Sequence, residues 1–294
     1  PLLFPVRGEA SVGMLTFCIH WRYRTNPRGR EMAYVQVGAN AFHVRRSGTG
    51  DSIVLLHGVG ADIETWDGVV AALGDGFDVL SLDQRGHGRS DKPSGPFVLD
   101  DFVEDLHGVL NALELSTISL AGFSLGGLVA QAFALKYPER LNKLALISTV
   151  AGRTDEERAR VLARAETLSQ QGAGAHLSEA VTRWFTDGFI ASRPDVLEWR
   201  RQKSLQNDPA AYAAAYRVLA ESDLADEIHR ITAPTLVMTG ECDAGSTPRM
   251  AELLAARIPR AECVILPKLK HSVLLEAPDL IASELHRFLA ASPD

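Results

Sequence analysis

Apolar residues along this chain fall into short unbroken runs, separated by longer segments in which they recur every three or four positions. The runs are Ala41–Arg46, Ser52–His57, Asp78–Asp83, Thr117–Phe123 and Lys143–Thr149. The last four lack the polar alternation of a half-exposed strand, as strands buried on both faces of a parallel sheet do. Helix-period segments lie between them at Thr65–Leu73, Leu99–Leu113 and Gly126–Tyr137, the last closed by Pro138. The pattern predicts an α/β fold: a mostly parallel, doubly wound sheet with helices on both faces.

Residues 151–230 break the alternation. TDEERARVLARAETLSQQ, AHLSEAVTRWFT, RPDVLEWRRQKSLQ and DPAAYAAAYRVLAES are four helix-length segments with no strand between them. Asp155, Ser178 and Asp208 stand near their starts, and Gly172, Gly174 and Pro194 punctuate them. An all-helical insertion in an α/β protein reads as a lid. Strands resume at Pro234–Gly240 and Glu262–Leu266, and a last helix spans Pro278–Ala290. Residues 32–150 and 231–294 thus form the expected core, with 151–230 as its cap. Residues 1–31 carry no periodicity and are expected to be an extension outside the core; the alternative is an arm packed on the domain.

Composition narrows the class. Apolar residues make up 46% and charged residues 23% of the chain, as in ordinary globular proteins, which excludes disorder and fibrous repeats. Lys and Arg number 30 against 37 Asp and Glu, a net charge of −7, the opposite of what phosphate-neutralising nucleic-acid binding needs. Cys18, Cys242 and Cys263 have no CxxC spacing, so neither a disulfide framework nor a structural zinc site is expected, in keeping with a cytoplasmic location. No apolar run approaches the roughly 18–20 residues of a membrane span. Arg7 and Glu9 break the N-terminal apolar patches, and no signal peptide is expected.

The strongest chemical signal is Gly122-Phe123-Ser124-Leu125-Gly126, a G-x-S-x-G between a buried strand and a helix. Such a turn holds its serine hydroxyl exposed above the sheet, beside the free N–H groups of a helix N-terminus. A serine nucleophile needs a base, and the base needs an orienting acid, in the chain order Ser, Asp or Glu, His. Asp243 follows one late strand and His271 the next; Glu241 is the rival acid, nearer the strand end and with less reach. The oxyanion formed during acyl transfer needs backbone donors. The N–H of Leu125 supplies one, and that of Val59, in the loop His57-Gly58-Val59-Gly60, supplies the other. The remaining histidines are scattered or sit in tight turns without metal-ligand spacing, so neither a metal nor a cofactor is expected. Gly58-x-Gly60 and Gly86-x-Gly88 complete no phosphate-binding motif.

With LLHGVG, Trp66, LDQRGHGRSDKP, AGFSLGG, TGECD and KHSVLLEAP in this order, the chain from about Met32 to Leu289 resembles the α/β-hydrolase fold family. The resemblance implies a cofactor-free serine hydrolase with Ser124, Asp243 and His271 as triad and Val59 and Leu125 as oxyanion hole. Lys270 stands where the family often has glycine, and Cys242 sits beside the acid. Within the family, Arg183-Trp184-Phe185-Thr186 and Asn207-Asp208-Pro209-Ala210-Ala211-Tyr212 resemble 3-oxoadipate enol-lactonases, enzymes of bacterial aromatic-compound breakdown. That likeness implies a small carboxylated lactone or ester as substrate. Arg183 is the expected cation over the pocket, or else a solvated helix arginine; Trp66 and Trp184 are expected pocket walls, or else core. Carboxylesterase, amide or carbon–carbon hydrolase, and non-catalytic receptor are the alternatives on this scaffold. No nucleic-acid or membrane partner is expected, and the sequence leaves the oligomeric state open.

Overall fold

The computed structural model describes residues 24–25, 31–171 and 180–291. The expectation for residues 1–31 and the start signal at Ser178 therefore lie largely or wholly outside the described residues. Nine strands form one sheet among them: β1 (Arg24–Thr25), β2 (Glu31–Val37), β3 (Asn40–Ser47), β4 (Ser52–Leu56), β5 (Asp78–Leu82), β6 (Ile118–Phe123), β7 (Leu141–Ile147), β8 (Thr235–Gly240) and β9 (Ala261–Leu266). Their order is β1-β2-β3-β5-β4-β6-β7-β8-β9, antiparallel as far as β5 and parallel from β5 to β9. The fold is the mostly parallel, doubly wound α/β sheet that the pattern predicted.

Period-two geometry divides the core. Val54 and Leu56 of β4, Leu144 and Leu146 of β7, and Val237 of β8 face one layer. There they meet α2 (Leu99–Ala112), α3 (Leu125–Lys136) and α8 (Pro248–Arg257) through Phe102, Leu106, Leu128, Phe133, Met250 and Leu254. The intervening Ile53, Leu55, Ala145, Ile147, Leu236 and Met238 face the other layer. Their partners are Val69, Val70 and Leu73 of α1 (Asp67–Leu73), Val273 and Leu274 of α9 (Val273–Glu276), and Ile281, Leu285 and Phe288 of α10 (Pro278–Ala290). Burial on both faces is why these strands carry no polar alternation.

Strand order reverses at β4, which has β5 on one side and β6 on the other. The carboxyl ends flanking such a switch point open into a crevice. Between β7 and β8 the chain forms α4 (Asp155–Gln171), a helical stretch at 180–184, α5 (Asp187–Ser192), α6 (Pro194–Leu205) and α7 (Pro209–Glu221). Val161, Ala165 and Leu168 of α4 pack on Tyr212, Tyr216 and Ala220 of α7 in a small core of their own, with Val59 against it. Asp208 caps α7 by accepting from the Ala211 N–H at 2.8 Å, as expected. Asp155 lies inside α4, whose cap is Thr154: its hydroxyl accepts from the Glu157 N–H, and the Glu157 carboxylate accepts from the Thr154 N–H. Among the described residues no helix is long and apolar enough to cross a membrane.

Candidate active site

Ser124 stands between β6 and α3 with φ 54° and ψ −113°, a conformation that L-residues rarely adopt. Its surroundings enforce it. The Ser124 N–H donates to the Ile147 carbonyl at 2.9 Å, and its carbonyl accepts from the Thr149 hydroxyl at 2.9 Å and from the N–H groups of Gly127 and Leu128. The flanking glycines make the turn possible. A Cβ on Gly122 would collide with the Gly126 carbonyl, and one on Gly126 with the carbonyl of Leu56.

The loops after β8 and β9 bring the other two groups to this serine. His271 Nε2 lies 3.3 Å from Ser124 Oγ, and its Nδ1 lies 2.7 Å from Asp243 Oδ2. Asp243 is buried, and its second oxygen accepts from the N–H groups of Gly245 and Ser246 at 2.8 and 2.9 Å. Those bonds keep the carboxylate aimed at the imidazole. Glu241 does not reach the imidazole; its carboxylate accepts from the Lys268 N–H at 2.8 Å. Lys270, in place of the family's frequent glycine, extends its ammonium to the Thr182 carbonyl at 2.8 Å. The Ser272 N–H donates to the Trp184 carbonyl, also at 2.8 Å. The histidine loop is thus tied to the helical segment above it.

Leu125 and Val59 are the two residues expected to offer oxyanion donors. Leu125 opens α3, and Val59 lines the cavity beside Ser124. Among the described residues neither N–H is donated to a protein carbonyl. His57 braces this loop from below: Nδ1 donates to the Gly58 carbonyl at 2.8 Å and Nε2 accepts from the Gln84 N–H at 3.1 Å. Burial pulls its pKa down, so it stays a neutral strut.

A cavity of about 140 Å³ opens over Ser124, His271 and Asp243, walled on the far side by the segment between β7 and β8. Ser124, Asp243, His271, Val59, Arg183 and Trp184 all line it. Trp66 does not, which corrects the expectation of a pocket wall. Its short 3-10 turn (Ile63–Trp66) points the ring into the layer formed by α1 and α10, where it is fully buried. Besides Arg183, four arginines line the cavity that the sequence did not single out: Arg153, Arg160 and Arg164 from the α4 side, and Arg200 from α6. Against them stand Glu157, which pairs with Arg249 at 2.6 Å, and Asp243. The Arg153 guanidinium donates to the carbonyls of Leu219 and Ser222, while Arg160 pairs with Glu156 at 3.1 Å. In a chain of net charge −7, this cavity is a local excess of positive charge. Among the described residues no three His, Cys, Asp or Glu side chains come together as metal ligands.

Comparison with known proteins places this geometry in context. Residues 51–278 match the family described as alpha/beta hydrolase fold. The chain is 31% identical over 215 residues to 3-oxoadipate enol-lactonase 2 of Acinetobacter baylyi, covering 73% of this chain and 80% of that one. It is 30% identical over 254 residues to (E)-2-((N-methylformamido)methylene)succinate hydrolase of the same organism, covering 85% and 95%. Among solved structures, the enol-lactonase from Burkholderia xenovorans superposes with a TM-score of 0.83 at 30% identity, covering 88% of this chain and all of that one.

Proposed function

The chain belongs to the α/β-hydrolase fold family, and from that premise we propose that it is a serine hydrolase acting through an acyl-enzyme on a small carboxylated lactone or ester. The observation that carries the reading is the run of contacts from Asp243 through His271 to Ser124 at 2.7 and 3.3 Å. His271 takes the Ser124 proton as Oγ attacks the substrate carbonyl, while Asp243 fixes the imidazole tautomer and stabilises its charge. The tetrahedral oxyanion rests on the N–H groups of Val59 and Leu125, each donor contributing about 2.7–4 kcal/mol to the transition state. His271 then returns the proton to the leaving oxygen, and afterwards takes one from water as that water attacks the acyl-enzyme. The described helices between β7 and β8 serve as the lid over the acyl group.

The arginine-rich cavity supports a carboxylated substrate, and so do the enol-lactonase relatives. A second reading, hydrolysis of an amide of a succinate derivative, is favoured by the succinate hydrolase relative, which matches more of the chain. A panel of enol-lactones, carboxylated esters, aryl esters, amides and ring-cleavage dienones separates these readings. We expect turnover of a carboxylated member that Ser124→Ala lowers by about 10⁶-fold, and a fluorophosphonate adduct on Ser124 by mass spectrometry. Turnover that survives Ser124→Ala would overturn the mechanism.

A further inference from the structure

Arg200 differs from the other cavity arginines in its surroundings. It is 8% exposed, the deepest-set of the five, yet it faces the same cavity as Ser124. Its guanidinium lies over the Trp184 ring at 5.3 Å and donates one hydrogen bond to the Ser204 hydroxyl. No carboxylate among the described residues pairs with it. Two acidic groups lie near enough to bear on its charge: the Tyr212 phenol, which is neutral at ordinary pH, and then Asp62, which is engaged by Lys203 at 3.0 Å. Lys203 holds Glu64 as well, at 2.8 Å.

A guanidinium stays charged at any ordinary pH, and burying it without an anion is strongly unfavourable. Stacking on an indole and one hydroxyl recover only part of the lost hydration. Most of the N–H fork is left over, and its planar geometry suits a carboxylate. A substrate whose acyl carbonyl sits at Ser124 and whose free carboxylate reaches Arg200 completes both ends of the cavity. We propose that Arg200, seated on Trp184, is the specificity-determining anchor that receives the carboxylate of the substrate remote from the bond being cut. The preferred substrates are then lactones, monoesters or amides of dicarboxylic acids. The inference deepens the hydrolase reading and rests on it for the place of the scissile carbonyl. Arg183, half-exposed at the cavity wall, is an outer contact rather than the anchor.

The test separates binding from turnover. In the Ser124→Ala background, calorimetric titration compares monoethyl succinate with diethyl succinate, which lacks the free carboxylate. The parent is expected to favour the monoester. Adding Arg200→Gln should weaken monoester binding about 30-fold or more and collapse the preference between the two. Arg200→Lys, which keeps a point charge but not the fork, should recover only part of it. If the glutamine variant does not fold, Arg200→Met fills the same space without a buried charge and reads the same quantity. Equal monoester affinity with and without the arginine, or no preference in the parent, would overturn the anchor. Wild-type turnover of monoethyl succinate is scored separately: its absence alongside arginine-dependent binding would count against the hydrolase reading and leave the anchor standing.

Discussion

The conformation of Ser124 predicts that this residue destabilises its own fold. At φ 54° and ψ −113° a residue with a Cβ costs about 1–3 kcal/mol relative to glycine. The backbone cannot relax, because its N–H is held by Ile147 and its carbonyl by Thr149 and the first turn of α3. Comparing Ser124→Gly with Ser124→Ala isolates the strain. Both variants lose the hydroxyl and its 3.3 Å contact with His271, but only alanine keeps the Cβ. Glycine gives back about 0.5–1 kcal/mol through its freer unfolded chain. The balance leaves Ser124→Gly more stable than Ser124→Ala by about 1 kcal/mol.

For a chain of this size that difference corresponds to a melting temperature higher by about 2–4 °C. Thermal unfolding followed by circular dichroism and urea midpoints at 25 °C should agree in sign. Neither variant turns over substrate, so the comparison is free of catalytic effects. A glycine variant that melts at or below the alanine variant would refute the reasoning. It would mean that the turn is not strained, or that it relaxes when the hydroxyl is gone.

Three further outcomes follow from named contacts. Replacing Asp243 by Asn should lower kcat about 10⁴-fold by favouring the wrong imidazole tautomer, whereas Glu241→Gln should change kcat less than about two-fold; the reverse ranking would reinstate Glu241 as the acid. His87 is fully buried, and desolvation pulls its pKa from 6.5 to about 3, so between those values the unfolded chain binds a proton that the fold refuses. Stability present above pH 6.5 is therefore lost as pH falls toward 3, by about 1.4 kcal/mol per pH unit from this group; urea midpoints of His87→Asn should fall less steeply over that range, and parallel slopes would exclude the effect. Trp66→Ala should destabilise by about 3–5 kcal/mol and leave the KM of the folded protein unchanged; a raised KM would return Trp66 to the cavity wall.

What could be read from the sequence followed from how completely each element is buried. Strands β4 to β8 are enclosed on both faces, so their apolar runs stand out, and all were expected within a residue or two of their observed ends. Strand β2 is not among the expected runs, because it lies toward the sheet edge and Tyr34 and Gln36 are exposed. Helix α8 buries only Met250, Ala251 and Leu254, too few to set up a legible period. Helix α5 buries no residue and owes its start to the Thr186 hydroxyl accepting from Phe189 N–H, a local capping contact rather than a hydrophobic pattern. Trp66 was misplaced for a related reason. An aromatic residue after a strand end carries no mark of which side of the sheet its turn will face.

The candidate site divides along the same physical line. Ser124 is legible because the strained turn tolerates only glycine at Gly122 and Gly126, a requirement that backbone contacts impose on the sequence directly. Asp243 and His271 follow from chain order and strand ends. The anchor had no such signature. In Trp199-Arg200-Arg201-Gln202-Lys203 the composition is one solvated-looking charge run, and only helix rotation of about 100° per residue decides what each side chain meets. Arg201 turns outward to Glu198 at 2.7 Å, Lys203 turns down to Asp62 and Glu64, and Arg200 turns into the cavity against the Trp184 ring. Which of the cations enters depends on how α6 is docked, and that docking is set by contacts distant in the chain, such as Asn207 Nδ2 donating to the Gly60 carbonyl at 3.0 Å. The reaction type is thus written in residues that backbone geometry constrains. The substrate preference is written in helix orientation, which a single sequence does not fix.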